Sequence, residues 1–390
     1  MAQPSSEGAV RAREAAWARH DAQWRDPAQV ASYWEDAGKL DPGLLRFRAR
    51  GDFWGVLDRL EATLLVTREY EHLVVALAVA DGRPLATFFR LPHPSGLVYD
   101  RERRVLHLAS TRNPNQILEL APIAGQSTLV PVSARFFPGR TYLHDLALIG
   151  GVLHANAVGQ NVVVRVEATE GLTPAWWPRC VEVSRRPLVE RNHIQLNSIA
   201  AGENLAESFF TASTDEIGPR KPGDRNFPVD GRGVVFSGRT REPLVRGLTR
   251  PHSARLHKGR LWVANSGYGE VGVVEDGRYR AVTRLPGWTR GLAFASGIAF
   301  AGTSRVIPRF SRYAPGLDLE ESRCALHALD DRSGKVLGSL DWPEGNQIFA
   351  IDWAPRRSVS GFPFGARRRS DSKTSRELFY SFQLDGKAGP

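Results

Sequence analysis

The stretch RPHSARLHKGRLWVANSGYGEVGVVEDGRYRAVTRL, residues 250–285, decides the fold. It divides into four short apolar segments, HSARLHKG, RLWVANSG, GEVGVVED and GRYRAVTRL, each with period-two character and each bounded by turn residues. Glu275-Asp276-Gly277-Arg278 reads as a tight hairpin turn, because Asp-Gly tolerates positive φ. Four short strands in about 35 residues fit a sandwich, a barrel or one blade of a β-propeller, and internal repetition decides among these.

Working outward, the start of this unit recurs. Ser95-Gly96-Leu97-Val98 precedes RRVLHLAST, and His144-Asp145-Leu146-Ala147 precedes GGVLHANAVG. Asn197-Ser198-Ile199-Ala200 precedes ESFFTAST, and Arg290-Gly291-Leu292-Ala293 precedes SGIAFAGTS. Phe349-Ala350-Ile351-Asp352 is a weaker sixth copy. A period of roughly 40 to 55 residues is that of a four-stranded blade. The reading is all-β: a single propeller of about six four-stranded blades over 52–355, with seven as the alternative count. The late run NQIFAIDW pairs with the first strands and closes the ring, which removes exposed edges. Residues 1–51 read as a helical arm, with Asp26-Pro27 starting a second helix. Residues 356–390 read as a basic tail rich in Ser, Arg and Gly, with ELFYSFQL as a potential last strand.

Composition narrows the function classes. Two cysteines in 390 residues cannot staple the chain, and the first residues show no apolar signal segment, so a reduced, cytoplasmic setting is expected. No apolar run of membrane-spanning length is present. The formal charge of +10 owes five charges to Arg356-Arg357 and Arg367-Arg368-Arg369, so nucleic acid is not expected as a partner. Walker, GxSxG, HExxH and Cys-based zinc patterns are absent, and no nucleotide cofactor is expected.

The repeat motifs resemble an uncharacterised bacterial family of predicted propellers, known by a domain of unknown function, some of whose members carry tetratricopeptide repeats. HPSGL (93–97), HDLAL (144–148), LNSIA (196–200), residues 250–272, LPGWTRGLAF (285–294) and AIDW (350–353) carry the likeness. It implies a polar-lined channel and no activity. The family's His-Leu-Asn stands here as Gln195-Leu196-Asn197, with His193 two residues earlier.

In a propeller the innermost strands line a channel, and residues two apart on a strand face the same way. One expected ring is Ser95, His144, Asn197, His252 and Arg290; the other is His93, Tyr142, Gln195, Arg250 and Trp288. His93, His144, His193 and His252 are therefore candidate ligands for one transition metal ion (Fe, Cu, Mn or Zn), with Asp145 as a ligand or orienting acceptor. His144, His252, Arg290 and Asp145 are the candidate catalytic residues. Arg250, Trp288, Tyr142, Asn197 and Gln195 are the candidate substrate-binding residues, Arg290 and Arg250 by holding an anion. Three functions fit these residues. The first is a metal-dependent oxidation or hydroxylation of a small molecule or peptide. The second is metal-free lyase or epimerase chemistry on an acidic substrate. The third is a scaffold whose arm and tail recruit a protein partner.

Overall fold

The computed structural model describes residue 11 and residues 41–365, apart from 112–114, 123–125, 138, 140 and 168–170. Most of the helical arm expected over 1–51 lies outside the described residues, as does the tail beyond 365 with its expected last strand. Within 41–51 the chain forms a 3-10 turn, Pro42–Leu45, and a strand, Arg48–Gly51.

Six antiparallel sheets follow one another around a ring, and their innermost strands touch in sequence. Blade two is Pro94–Asp100, Val105–Ser110, Asn115–Pro122 and Leu129–Phe137. Blade three is Leu143–Ile149, Val152–Ala157, Val162–Val166 and Leu172–Trp176. Blade four is Leu196–Ala200, Phe209–Ala212, Gly233–Ser237 and Pro243–Leu248. Blade five is Pro251–His257, Arg260–Asn265, Glu270–Glu275 and Arg278–Arg284, the unit that 250–285 spells out. Blade six is Trp288–Ala295, Ile298–Ser304, Ala325–Asp330 and Val336–Asp341.

Blade one joins the two ends of the described chain. Its innermost strand, Ala350–Pro355, pairs with Ala62–Arg68, which is followed by Leu73–Ala80 and Arg83–Arg90. The closure expected of NQIFAIDW is thus observed. A second stitch is made in blade six, where Arg48–Gly51 pairs with Val336–Asp341 as an outermost fifth strand. Between these stitches the helix Phe53–Arg59 interrupts a region expected to be strand, and it buries Phe53, Val56 and Leu57.

Each blade is packed between two others, so central strands bury both faces. Leu73–Ala80 (LVVALAVA) is buried along almost its whole length and reads as a continuous apolar run. Outer strands alternate instead, as Leu129–Phe137 does. Each fully buried Leu or Val contributes about 1.5–3 kcal/mol by leaving water. Where inner strands approach closely only glycine fits: a Cβ on Gly96 would lie 2.6 Å from Leu146 N and 2.7 Å from Asp145 Cα. Among the described residues no helix is long and apolar enough to cross a membrane.

Candidate functional site

The innermost strands start at one end of the channel, and their entry is irregular. His93, Tyr142, Gln195 and Arg250 all sit in the left-handed region, with φ of 44°, 52°, 52° and 53°. Just beyond, the pairing slips: between Pro94 and Leu97, Leu196 and Ser198, His252 and Arg255, and Thr289 and Leu292. Such bulges re-aim side chains, and they cluster at sites. Here they open a chamber of about 280 Å3. In blades three, five and six both expected ring positions line it, as Tyr142 with His144, Arg250 with His252, and Trp288 with Arg290. Gln195 joins from blade four.

Hydrogen bonds fix the two histidines. His144 Nδ1 lies 2.7 Å from the Asn197 carbonyl, which can only accept, so Nδ1 carries the proton. His144 Nε2 then presents a lone pair, and Arg290 donates to it at 2.8 Å. His252 Nδ1 lies 2.8 Å from the Arg250 carbonyl and carries the proton, which puts the lone pair of His252, a residue lining the chamber, on Nε2. The rings are 5.6 Å apart. Burial, then the Arg290 charge, hold both imidazoles well below their usual range, so both are neutral near pH 7.

The chamber carries an excess of positive charge. Its lining includes three guanidinium groups, Arg250, Arg290 and Arg305, against one carboxylate, Glu69. Arg290 lies over the Phe349 ring at 3.6 Å, and Arg250 over Tyr313 at 4.1 Å. Arg250 donates to Gln195 Oε1, to the Pro222 carbonyl and, at 3.2 Å, to Ser213 Oγ. The Glu69 carboxylate acts on Arg290 across the chamber, yet burial still lowers that arginine's pKa. Burial pulls Arg250 down to about 10, still charged at neutral pH. The Nε of each of these two arginines, Trp288 Nε1 and Gln347 Oε1 are buried without a hydrogen-bond partner.

The other expected residues lie elsewhere. Asp145 does not face the histidines: it accepts Ile199 N at 3.0 Å and Arg255 at 2.8 Å, and so staples blade three to blades four and five. Asn197 spans to the next blade through Pro251 O at 3.1 Å, and serves the site by fixing the His144 tautomer. His93 rests edge-on against His72, with its Nδ1 3.8 Å from Glu69 Oε1. His193 lies in the connection into blade four, its N–H held by Asn161 Oδ1 at 2.7 Å. The four histidines therefore do not gather as one ligand set. Among the described residues no three His, Cys, Asp or Glu side chains are placed to hold a metal ion. Cys180 and Cys324 are free thiols, pushed up to about 12 by burial.

Sequence reading missed Glu69, Tyr70, Arg305, Phe310, Tyr313 and Gln347. A signal existed for Gln347, which stands two residues before Phe349 in the sixth copy of the motif. Phe310 and Tyr313 sit in a loop outside the repeat, and period-two patterning says nothing of such loops.

No curated protein matches the chain. A chain of a nidogen/laminin complex is similar in structure, with TM-score 0.51 and 11% identity over 75% of this chain and 98% of that one. A protein of unknown function from Bacteroides caccae gives TM-score 0.49 and 11% identity, over 75% and 98%. A gluconolactonase from Xanthomonas campestris gives TM-score 0.43 and 13% identity, over 73% and 86%. At 11% identity the first likeness is one of fold alone. The family model described as Domain of unknown function (DUF4915) matches residues 51–360, and the chain belongs to that family.

Proposed function

We propose that the chamber binds a small carboxylic acid and that His252 removes a proton from the carbon beside the carboxylate. The observation that carries this reading is the buried guanidinium excess. Holding a charge out of water costs several kcal/mol, and an incoming carboxylate offsets that cost at Arg250 and Arg290. The unpartnered Nε atoms of both arginines are the donors it would meet.

The chemistry follows from the tautomers. His252 Nε2 offers its lone pair and takes the C–H proton; the electron pair left on carbon spreads into the carboxylate, where the guanidinium groups stabilise the added charge. If a β-substituent then leaves with that pair, the step is an elimination. If water delivers a proton to the opposite face and His252 releases its own to solvent, it is an epimerisation. Arg290 is the link between binding and basicity. Burial lowers His252 most and the Arg290 charge lowers it further; a bound carboxylate neutralises that charge, so the base strengthens when substrate arrives. His144 positions Arg290 through the bond at 2.8 Å.

Metal-dependent oxidation stands behind this reading, because of the two facing histidines His144 has its Nε2 taken by Arg290, which leaves His252 Nε2 to offer a lone pair. The test is NMR of candidate acids in deuterium oxide. The account expects exchange of the α-hydrogen with wild-type protein, unchanged by chelator and lost in a folded His252→Gln variant. Exchange that stops on chelation would return the metal reading. Tight binding without exchange would leave a binding module.

A further inference from the structure

The outer wall of the chamber is built by two insertions absent from the repeat. Residues 305–324 join the second and third strands of blade six, and residues 213–232 do the same in blade four. They are tied together: Arg312 donates to the Asp224 carbonyl at 2.8 Å and to the Gly223 carbonyl at 3.1 Å. The blade six insertion places Phe310 and Tyr313 at the chamber, each with its ring centroid 6.2 Å from that of Trp288. Tyr70 stacks on Phe310 at 6.2 Å with 14° between planes. The lining is thus aromatic and cationic together, with Arg250 lying over Tyr313 at 4.1 Å.

Two buried atoms on this lining ask for a particular group. Trp288 Nε1 can only donate, Gln347 Oε1 can only accept, and neither has a hydrogen-bond partner. A hydroxyl carries both the acceptor that Trp288 Nε1 lacks and the donor that Gln347 Oε1 lacks. The chamber, at about 280 Å3, leaves room for a hexose-sized ring.

We propose that the acid taken by this chamber is a monocyclic uronic acid. The inference rests on the carboxylate reading above and adds the ring. The sugar's C–H face lies on Trp288 and Phe310, one hydroxyl bridges Trp288 Nε1 and Gln347 Oε1, and the carboxylate points to Arg250 and Arg290. A plain aromatic acid would meet the aromatic rings but leave the donor and acceptor unmet, at a cost in affinity.

The test is calorimetric titration of the full chain with D-galacturonate, D-glucuronate, acetate, benzoate and D-galactose. A uronate that binds at least about tenfold more tightly than acetate, benzoate and galactose is the expected result; tenfold corresponds to about 1.4 kcal/mol. Acetate or benzoate binding as well as either uronate would overturn the inference while leaving the carboxylate reading standing. Failure of every acid to bind would overturn both. In the variants Trp288→Ala and, as a milder change, Gln347→Leu, the ratio of uronate to acetate affinity falls toward one in protein that keeps its circular dichroism spectrum. A ratio unchanged in both variants would also overturn the inference.

Discussion

Acid lability is built into blade six through His327. Its ring is buried on the strand Ala325–Asp330, with Nδ1 2.8 Å from Ser339 Oγ and Nε2 3.1 Å from Thr303 Oγ1. Burial, then Arg323, pull its pKa from 6.5 down to about 4. Above pH 6.5 neither folded nor unfolded chain protonates this ring, and its contribution is intact. As pH falls from 6.5 to 4 the unfolded chain takes up a proton that the folded one refuses, so stability is lost across that window and levels off below it. The difference of 6.5 and about 4 is about 2.5 units, which at 1.36 kcal/mol each gives about 3 kcal/mol. Urea denaturation followed by tryptophan fluorescence, run from pH 7.5 to 4, measures it. His327→Gln keeps a polar group between the two hydroxyls but cannot titrate. It should cost about 1–2 kcal/mol at pH 7.5 through poorer hydrogen bonds, and lose about 3 kcal/mol less than wild type on acidification. Equal losses in the two proteins would refute the reasoning, since the other buried histidines are common to both.

Three further outcomes follow from the same structure. Asp145→Asn removes the charge paired with Arg255 and leaves it only the more distant Asp352, so the fold should lose about 1–3 kcal/mol in urea denaturation. Gly96→Ala forces blades two and three apart, because the new Cβ meets Leu146 N at 2.6 Å; a loss of about 1–3 kcal/mol is expected, read as a lowered melting temperature. Acid binding should tighten as pH is lowered toward 6, while α-hydrogen exchange slows. The bound carboxylate raises the depressed His252, so binding takes up a proton, which calorimetry in buffers of different ionisation enthalpy detects as uptake.

What the sequence shows and hides has a physical basis. The six ring entries were legible because every blade must pack an innermost strand in the same surroundings, so the small and polar residues recur at a fixed offset. That offset located Tyr142, His144, Arg250, His252, Trp288 and Arg290, all of which line one chamber. The reading that residues two apart share a face fails for Asn197, which reaches for the next blade; Asp145, one residue past the ring, faces away as simple alternation requires. Bulges at the strand entries break the simple alternation, and a bulge leaves little mark in composition. Phe310, Tyr313 and Arg305 were hidden for another reason. They belong to an insertion whose conformation depends on contacts such as Arg312 with Gly223 and Asp224, nearly 90 residues away in the chain. The helix Phe53–Arg59 was missed because FWGVLDR is too short to show a helical period.

The most direct measurement of the central claim is a crystal structure of the protein soaked with D-galacturonate or a related acid. The account predicts the carboxylate against Arg250 and Arg290, with the carbon beside it about 3–3.5 Å from His252 Nε2. An acid seated elsewhere, or a metal ion held between His144 and His252 with Arg290 swung away, would contradict it.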